Sequence, residues 1–531
     1  MMLPIAMLLL MQATPAPTAI APTDSGDPPD RVARLAVLEG SVFFQPSGDT
    51  SADSWSDASI NYPLTSGDRV YADQGGRAEL QLGDCTLRIN GVADLTLATL
   101  TDDFLQLSLA QGTLEVSVYD LSGGDSIEVD TPNGALLLRQ DGVYRIDVSE
   151  SDNASTTIVS VDRGLADVFA GDAVQALRGG SALRLEGYDV IRVSSASRPT
   201  PDDFDRWCAD RDQALGSSAS AQYVGRDVPG YSDLDHHGRW ETEADYGPVW
   251  YPTTVVVGWA PYRYGRWVWI DPWGWTWLDD APWGFVPSHY GRWVWLRSRW
   301  GWVPGRWPHR PCYAPALVVF VSTGRVGVQA WFPLGPGEPY HPWYHHGPRY
   351  RQLVNPGITV VATRQVRYVN RPRTIVVPIS VVQRGDPVGR RAVPATGAEA
   401  TRAQPIAHPR VSPLPRAASG GRPAARPPAV RRPTVDVQPW RRPSVARPAT
   451  PTQRPPRRVI ARTPPARQAL PFPTRQRAMQ PEPGWPLEPQ QRRNLREGKP
   501  AGPHRDIQEP PRRTTTPRAR QPAKKPPPKK P

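Results

Sequence analysis

"YGRWVWIDPWGWTWLDDAPWGFVPSHYGRWVWLRSRWGWVPGRW" (Tyr264–Trp307) spends 11 of its 44 residues on tryptophan. The two long copies, YGRWVWI from Tyr264 and YGRWVWL from Tyr290, lie 26 residues apart, and Trp-Gly-aromatic recurs at Trp273, Trp283 and Trp300. Two copies are too few for a solenoid, which needs three or more stacked units. The segment DPWG (Asp271–Gly274) carries the residue preferences of a type I turn, and Gly274 is free to take the left-handed conformation of a bulge. RWVWI and WTWL then pair as a hairpin, with Trp269 expected opposite Trp277 and Ile270 opposite Thr276. Along each strand tryptophans alternate with Val268, Ile270, Thr276 and Leu278, so one face is aromatic and the other largely aliphatic. Both faces require cover.

Two uses of these rings compete. As core, a few tryptophans at roughly 150–250 Å² of buried surface each stabilise a small β module that has little aliphatic mass. As an exposed row, Trp267, Trp269, Trp275, Trp277, Trp293 and Trp295 would stack on sugar rings, while Arg266 and Arg292 lie over indole faces. Insertion of the row at a membrane interface is a third use. These eight residues are the candidate ligand-binding set.

Outward from this stretch, charge divides the chain. Of its 63 Lys and Arg and 51 Asp and Glu, 32 basic and 7 acidic residues fall from Arg390 to Pro531, which leaves 31 basic and 44 acidic before it. An acidic body therefore carries a basic tail. Residues 385–531 are rich in Pro and Arg, with few aromatics, and end AKKPPPKKP. Such a composition cannot bury enough apolar surface to offset chain entropy, so a long disordered tail is expected. It suits an anionic polymer held by many weak contacts, or a tether.

Upstream, residues 31–193 are short runs of period two: AELQL (Ala78–Leu82), FLQLSL (Phe104–Leu109), LEVSV (Leu114–Val118), YRIDV (Tyr144–Val148) and TTIVSV (Thr156–Val161). Turn signals such as TPNG and RQDG separate them, which predicts half-buried strands of an all-β sandwich or barrel. Residues 199–217 contain TPDDFDRWCADRDQAL, where Asp202 or Asp203 can cap a helix that presents Phe204, Trp207, Cys208 and Leu215 on one side. A single amphipathic helix that docks on a neighbour and connects two domains is expected. Residues 1–22 have the apolar run and small residues of a secretory leader, without its usual basic start, and no later segment is apolar enough to span a membrane.

The ordered motifs VARLAVLEGSVFF, PLTSGDRVYADQGGRAELQL, LSLAQGTLEVSV, IEVDTPNGALLLRQDGVYRIDV, TTIVSVDRGLADVF and LRGGSALRL resemble the FecR-like domain of bacterial envelope proteins. That resemblance implies a periplasmic β domain which, in the founding system, contacts an outer-membrane transporter and signals to a sigma factor through a transmembrane helix. No such helix is expected here beyond the leader, so the signalling role is not carried over with the fold. Residues 236–384, with APWGFVPSHYGRWVW, PCYAPALVVFV and GVQAWFPLGPGEPYHPWY, resemble the uncharacterised Trp-rich module that follows FecR-like domains in some secreted bacterial proteins.

Catalytic signatures such as GxSxG, HExxH and phosphate-binding glycine loops do not occur in a suitable context. The acid pairs Asp102-Asp103, Asp202-Asp203 and Asp279-Asp280 sit in apparent turns and are expected to be solvated. Seven of the nine histidines lie between His236 and His346 without metal-ligand spacing, and three scattered cysteines give neither a zinc site nor a disulfide framework. The reading is an exported, non-enzymatic envelope protein without a cofactor or metal: a FecR-like β-sandwich or jelly-roll-like domain, a small antiparallel Trp-rich module and the tail. Its expected partner is an envelope protein or an anionic or glycan polymer rather than genomic DNA. A glycan- or peptidoglycan-binding module and a FecR-like signalling adaptor are the competing functions.

Overall fold

A computed structural model describes residues 26–48, 54–121, 125–150, 155–187, 190–305, 307 and 310–414. The expected leader (1–22) and the tail beyond residue 414 lie outside the described residues.

The chain is all-β in class. In the N-terminal domain the described strands form one continuous hydrogen-bonded sheet, folded around a core of leucine and valine. Its spine is an antiparallel pair of long strands, Cys85–Leu100 and Phe104–Val118, whose ladder is interrupted between Asn90 and Asp94 and again between Leu97 and Thr99. The second of these strands begins with strict alternation. Leu105, Leu107 and Leu109 are buried while Gln106 and Ser108 are half-buried, as the period of FLQLSL predicts. The TPNG segment turns between Ser126–Thr131 and Gly134–Leu138, and buried Asn133 ties that turn to the carbonyls of Ser155 and Gly187.

One expectation changes where the helix lies, the solvated polar face of the strands beneath it. Asp202 caps Asp203–Gly216 by accepting from the Asp205 amide, and the Asp205 carboxylate accepts from the Asp202 amide in return. Phe204, Cys208 and Leu215 are buried as expected, and Trp207 is half-buried with its indole N–H on Glu39. The helix docks on a neighbour, as expected of the connector, and that neighbour is the sheet of the N-terminal domain. It lies over Glu79, Arg88, Glu115 and Ser117, polar residues whose alternation predicts a solvated face but which are at most 7% exposed. Arg88 bonds Glu79 (2.9 Å), Glu115 (3.1 Å) and, on the helix, Asp212 (2.6 Å); Arg211 of the helix bonds Glu79 (2.8 Å). Burial raises the Glu79 carboxyl, but hydrogen bonds and charge from Arg211 and Arg88 outweigh it and hold the group down at about 2.

The Trp-rich region builds three sheets. Gly238–Glu243, Gly247–Pro252, Arg299–Val303 and Arg292–Leu296 form one, Gly265–Ile270 and Gly274–Asp279 a second, and strands centred on Ile375–Pro378, Val328–Pro333 and Val318–Ser322 a third. The boundary expected at residue 385 moves. Val393–Pro394 and Gln404–Pro405 pair at the two edges of the third sheet, and buried Val411 accepts the Trp275 indole N–H at 2.9 Å. Val381, Val382, Val388 and Val411 supply the apolar anchors that a purely compositional boundary overlooks.

N-terminal domain and Trp-rich region belong to one compact unit. Tyr313 donates its amide to Asp30 at 2.7 Å, Arg349 pairs with Asp30 at 2.6 Å, and Arg310 pairs with Asp125 at 2.5 Å. All three cysteines are free and buried. Among the described residues, no helix is long and apolar enough to cross a membrane.

Candidate functional site

The first tryptophan hairpin pairs Trp267 with Trp277, Val268 with Thr276, Trp269 with Trp275 and Ile270 with Gly274. The expected register, Trp269 opposite Trp277, is therefore displaced by two residues. Gly274, at φ 74°, joins the ladder instead of remaining in the turn, and Asp271–Trp273 closes the hairpin with a cis Asp271–Pro272 peptide. A two-residue displacement preserves which side chains share a face, so the aromatic and aliphatic faces stand as predicted. The second hairpin pairs Trp293 with Trp302 and Trp295 with Trp300. Its turn is two residues, Arg297 and Ser298, both at positive φ (47° and 62°), the geometry of a type I′ turn.

The protein itself covers most of the aromatic face. Trp267 meets Trp277 edge-on at 5.4 Å, Trp331 at 5.4 Å and Phe320 at 5.1 Å. Trp267, Trp275, Trp277 and Trp293 are buried, which gives these four to the core rather than to a stacking platform. Three indole N–H groups are satisfied internally, Trp277 by Asp279 (2.9 Å), Trp293 by the Pro287 carbonyl (2.9 Å) and Trp302 by the Tyr290 carbonyl (2.8 Å), whereas that of buried Trp267 has no hydrogen-bond partner. Trp269 and Trp295 are half-buried. Trp269 bonds Asp271 at 3.1 Å, and Trp295 lies beneath the Arg373 guanidinium at 3.7 Å.

Neither candidate arginine takes its expected place over an indole. Arg373 covers Trp295, and Arg299 covers Tyr251 at 3.6 Å. Strand alternation puts Arg266 and Arg292 on the face opposite their neighbouring tryptophans, so sequence adjacency was the wrong guide. Asp279 also departs from expectation. It is 5% exposed and accepts from Trp277 and from the Ala281 amide, and burial pushes its carboxyl up to about 7 against those bonds. Among the described residues, no group of three or more His, Cys, Asp or Glu is placed to hold a metal ion.

Beside the second hairpin lies a cavity of about 340 Å³. Tyr290, Val303, Trp307, Leu317 and Ile358 make its apolar walls, and Arg292 is set into them. Two Pro-Gly steps, Pro304-Gly305 and Pro356-Gly357, also line it. His289 is on the wall as well; its Nδ1 lies 2.8 Å from the Ala314 carbonyl, and burial lowers the ring to about 3, so it is neutral at ordinary pH. Of the candidate set only Arg292 faces this space. Trp307 and Ile358 were not legible as site residues; the recurrence of Pro-Gly was the available signal.

A family of unknown function, DUF6600, matches residues 231–338, which include both tryptophan hairpins. None of the curated proteins matches the chain. Two crystal structures of a candidate anti-sigma factor from Parabacteroides distasonis ATCC 8503 are similar to part of it, at 15% and 14% identity and a TM-score of 0.22. Each match covers 24% of this chain and 60% of the other, so the chain spans about three fifths of the length of those proteins.

Proposed function

We propose that this chain is a non-enzymatic binding or assembly protein of the bacterial cell envelope, which docks a partner protein along an open sheet edge. The observation that carries this reading is the strand Ala173–Arg178. Among the described strands it pairs with Leu165–Ala170 alone, so its outer row of amide and carbonyl groups is unsatisfied by the sheet. Ala173, Val174, Gln175 and Ala176 are all exposed, Val174 by 58%. Edge strands are ordinarily protected by charge, proline or a covering element. This one is uncharged until Arg178 and suits the addition of a partner's strand.

Export is supported by the leader-like residues 1–22, and an envelope setting by the FecR-like motifs. The basic residues beyond 390 favour an anionic polymer as a second, salt-sensitive contact. Filling of the aromatic face by Phe320 and Trp331 favours protein docking over the stacking of sugars. Cross-linking of the full-length chain in exporting cells tests the proposal. The variant Val174→Lys/Ala176→Lys, altered only at exposed positions, is expected to lose a cross-linked partner that survives high salt. Cross-links to residues 173–178 that are the same in both proteins would contradict it.

A further inference from the structure

Four arginines are buried among the described residues: Arg31, Arg34, Arg88 and Arg292. Three have carboxylate partners. Arg31 pairs with Asp84 at 2.5 Å, Arg34 with Asp233 at 2.6 Å and Arg88 with three acids. Arg292, 7% exposed, makes no ion pair. Its acceptors are neutral: the carbonyls of Gly291 (2.8 Å), Glu338 (3.3 Å) and Val354 (3.5 Å), and the Asn355 amide oxygen (3.3 Å). The Glu338 carboxylate is turned elsewhere and accepts the amides of Gly335 and Val369, each at 2.6 Å. Asn355 Oδ1 is shared with the Tyr340 amide at 2.6 Å.

A buried guanidinium whose contacts are all neutral oxygens is an expensive arrangement: the Glu338 carboxylate acts on it through space without a contact and offsets only part of the desolvation of the charge. The contacts of Nη2 are long, and Nη1 has one acceptor for two N–H groups. Arg292 also borders the 340 Å³ cavity, whose other walls are largely aromatic and aliphatic. An anion that entered there would supply the contacting carboxylate that Arg292 lacks and cover those walls with its own apolar part. The planar fork of a guanidinium matches a carboxylate in particular.

We propose that this cavity binds a small carboxylic acid with an apolar acyl body, its carboxylate paired with Arg292. The site is separate from the sheet edge at Ala173–Arg178 and does not depend on it. Titration of the full-length protein with octanoate and, in parallel, with 1-octanol tests the proposal by calorimetry and by thermal shift. Octanoate is expected to bind with one-to-one stoichiometry and to raise the melting temperature, and octanol at least tenfold more weakly. Arg292→Leu removes the buried charge, keeps the basic tail, and is expected to abolish the preference for the acid. Ile358→Trp fills the cavity without touching Arg292 and is expected to abolish binding of both, which maintains the test should Arg292→Leu fail to fold. Equal binding of acid and alcohol, no binding of either, or unchanged octanoate binding by either variant would overturn the assignment.

Discussion

The Asn61 side-chain amide donates to the Ala281 carbonyl at 2.7 Å, joining the N-terminal β domain to the tryptophan hairpin across 220 residues of sequence. The same amide reaches the Asp279 carbonyl at 3.1 Å, while Asn61 Oδ1 accepts Arg34 Nε at 3.0 Å and Nη2 at 2.8 Å. Asn61 is fully buried, so Asn61→Ala leaves several polar groups without partners at once. At about 1–3 kcal/mol for each buried group left unsatisfied, a loss of about 2–4 kcal/mol is expected. Because this residue belongs to both halves, calorimetry should show one transition moved to lower temperature. Two separated transitions, only one of them shifted, would refute the shared core.

Arg88→Met removes the cation that Glu79, Glu115 and Asp212 share and leaves Arg211 as the one arginine paired with Glu79. The expected loss is about 3–5 kcal/mol, the usual result of removing one partner from a buried ionic network. Acid titration supplies an independent check. Glu79 is depressed in the folded chain to about 2, so its contribution is present above the ordinary carboxylate value of about 4.5 and is lost as pH falls toward 2. The variant should therefore lose less additional stability than the native chain between pH 5 and pH 2.5, as measured by urea midpoints. Parallel curves would show that Arg88 does not set the Glu79 ionisation.

Asp279 has the opposite sign. Its folded value, raised to about 7, favours the protonated acid, so its contribution is complete below about pH 4 and declines as pH rises through 7. A change from 3.8 to about 7 sets an upper limit of about 4 kcal/mol on that decline. Asp279→Asn removes the titration. The melting temperature of the variant relative to the native chain should therefore improve from pH 5 to pH 8, and an offset that is the same at both would exclude the effect.

Ser298 occupies the left-handed region at φ 62°, where a side chain costs about 1 kcal/mol that glycine avoids. Ser298→Gly should stabilise the second hairpin by up to about 1 kcal/mol. The neighbouring Arg297 also has positive φ, but its guanidinium pairs with Glu243 at 2.7 Å, so it is left in place. A lower melting temperature for the glycine variant would mean that the loss of chain stiffness in the unfolded state outweighs the relief.

Period-two alternation was enough to show strand at Phe104–Leu109 and at Leu114–Val118, which the structure joins into one strand, and hairpins in the tryptophan segment, because in each the pattern is local. Burial of Glu79, Glu115 and Ser117 was not legible. A polar residue on an alternating strand looks the same whether water or a helix of matching charge covers it, and here Arg211 and Asp212 lie more than 90 residues downstream of them. The hairpin register was missed by two residues because the sequence does not state whether Gly274 ends the turn or begins the strand. Arg292 was singled out for the wrong reason: its neighbour in sequence is Trp293, but its surroundings come from Gly291, Glu338, Val354 and Asn355. Structure continues past the boundary expected at residue 385 because Val381, Val382, Val388 and Val411 are buried without altering the overall Pro- and Arg-rich composition.

Cys85, Cys208 and Cys312 are each less than 5% exposed, and they sit in three different places: the long spine of the sheet, the covering helix and the tryptophan region. Burial raises all three thiols, which further slows their reaction. The molecule thereby carries three built-in timers, since each sulfur reacts faster with an alkylating reagent once its own surroundings open. The order in which they are labelled in dilute denaturant is a record of which part lets go first.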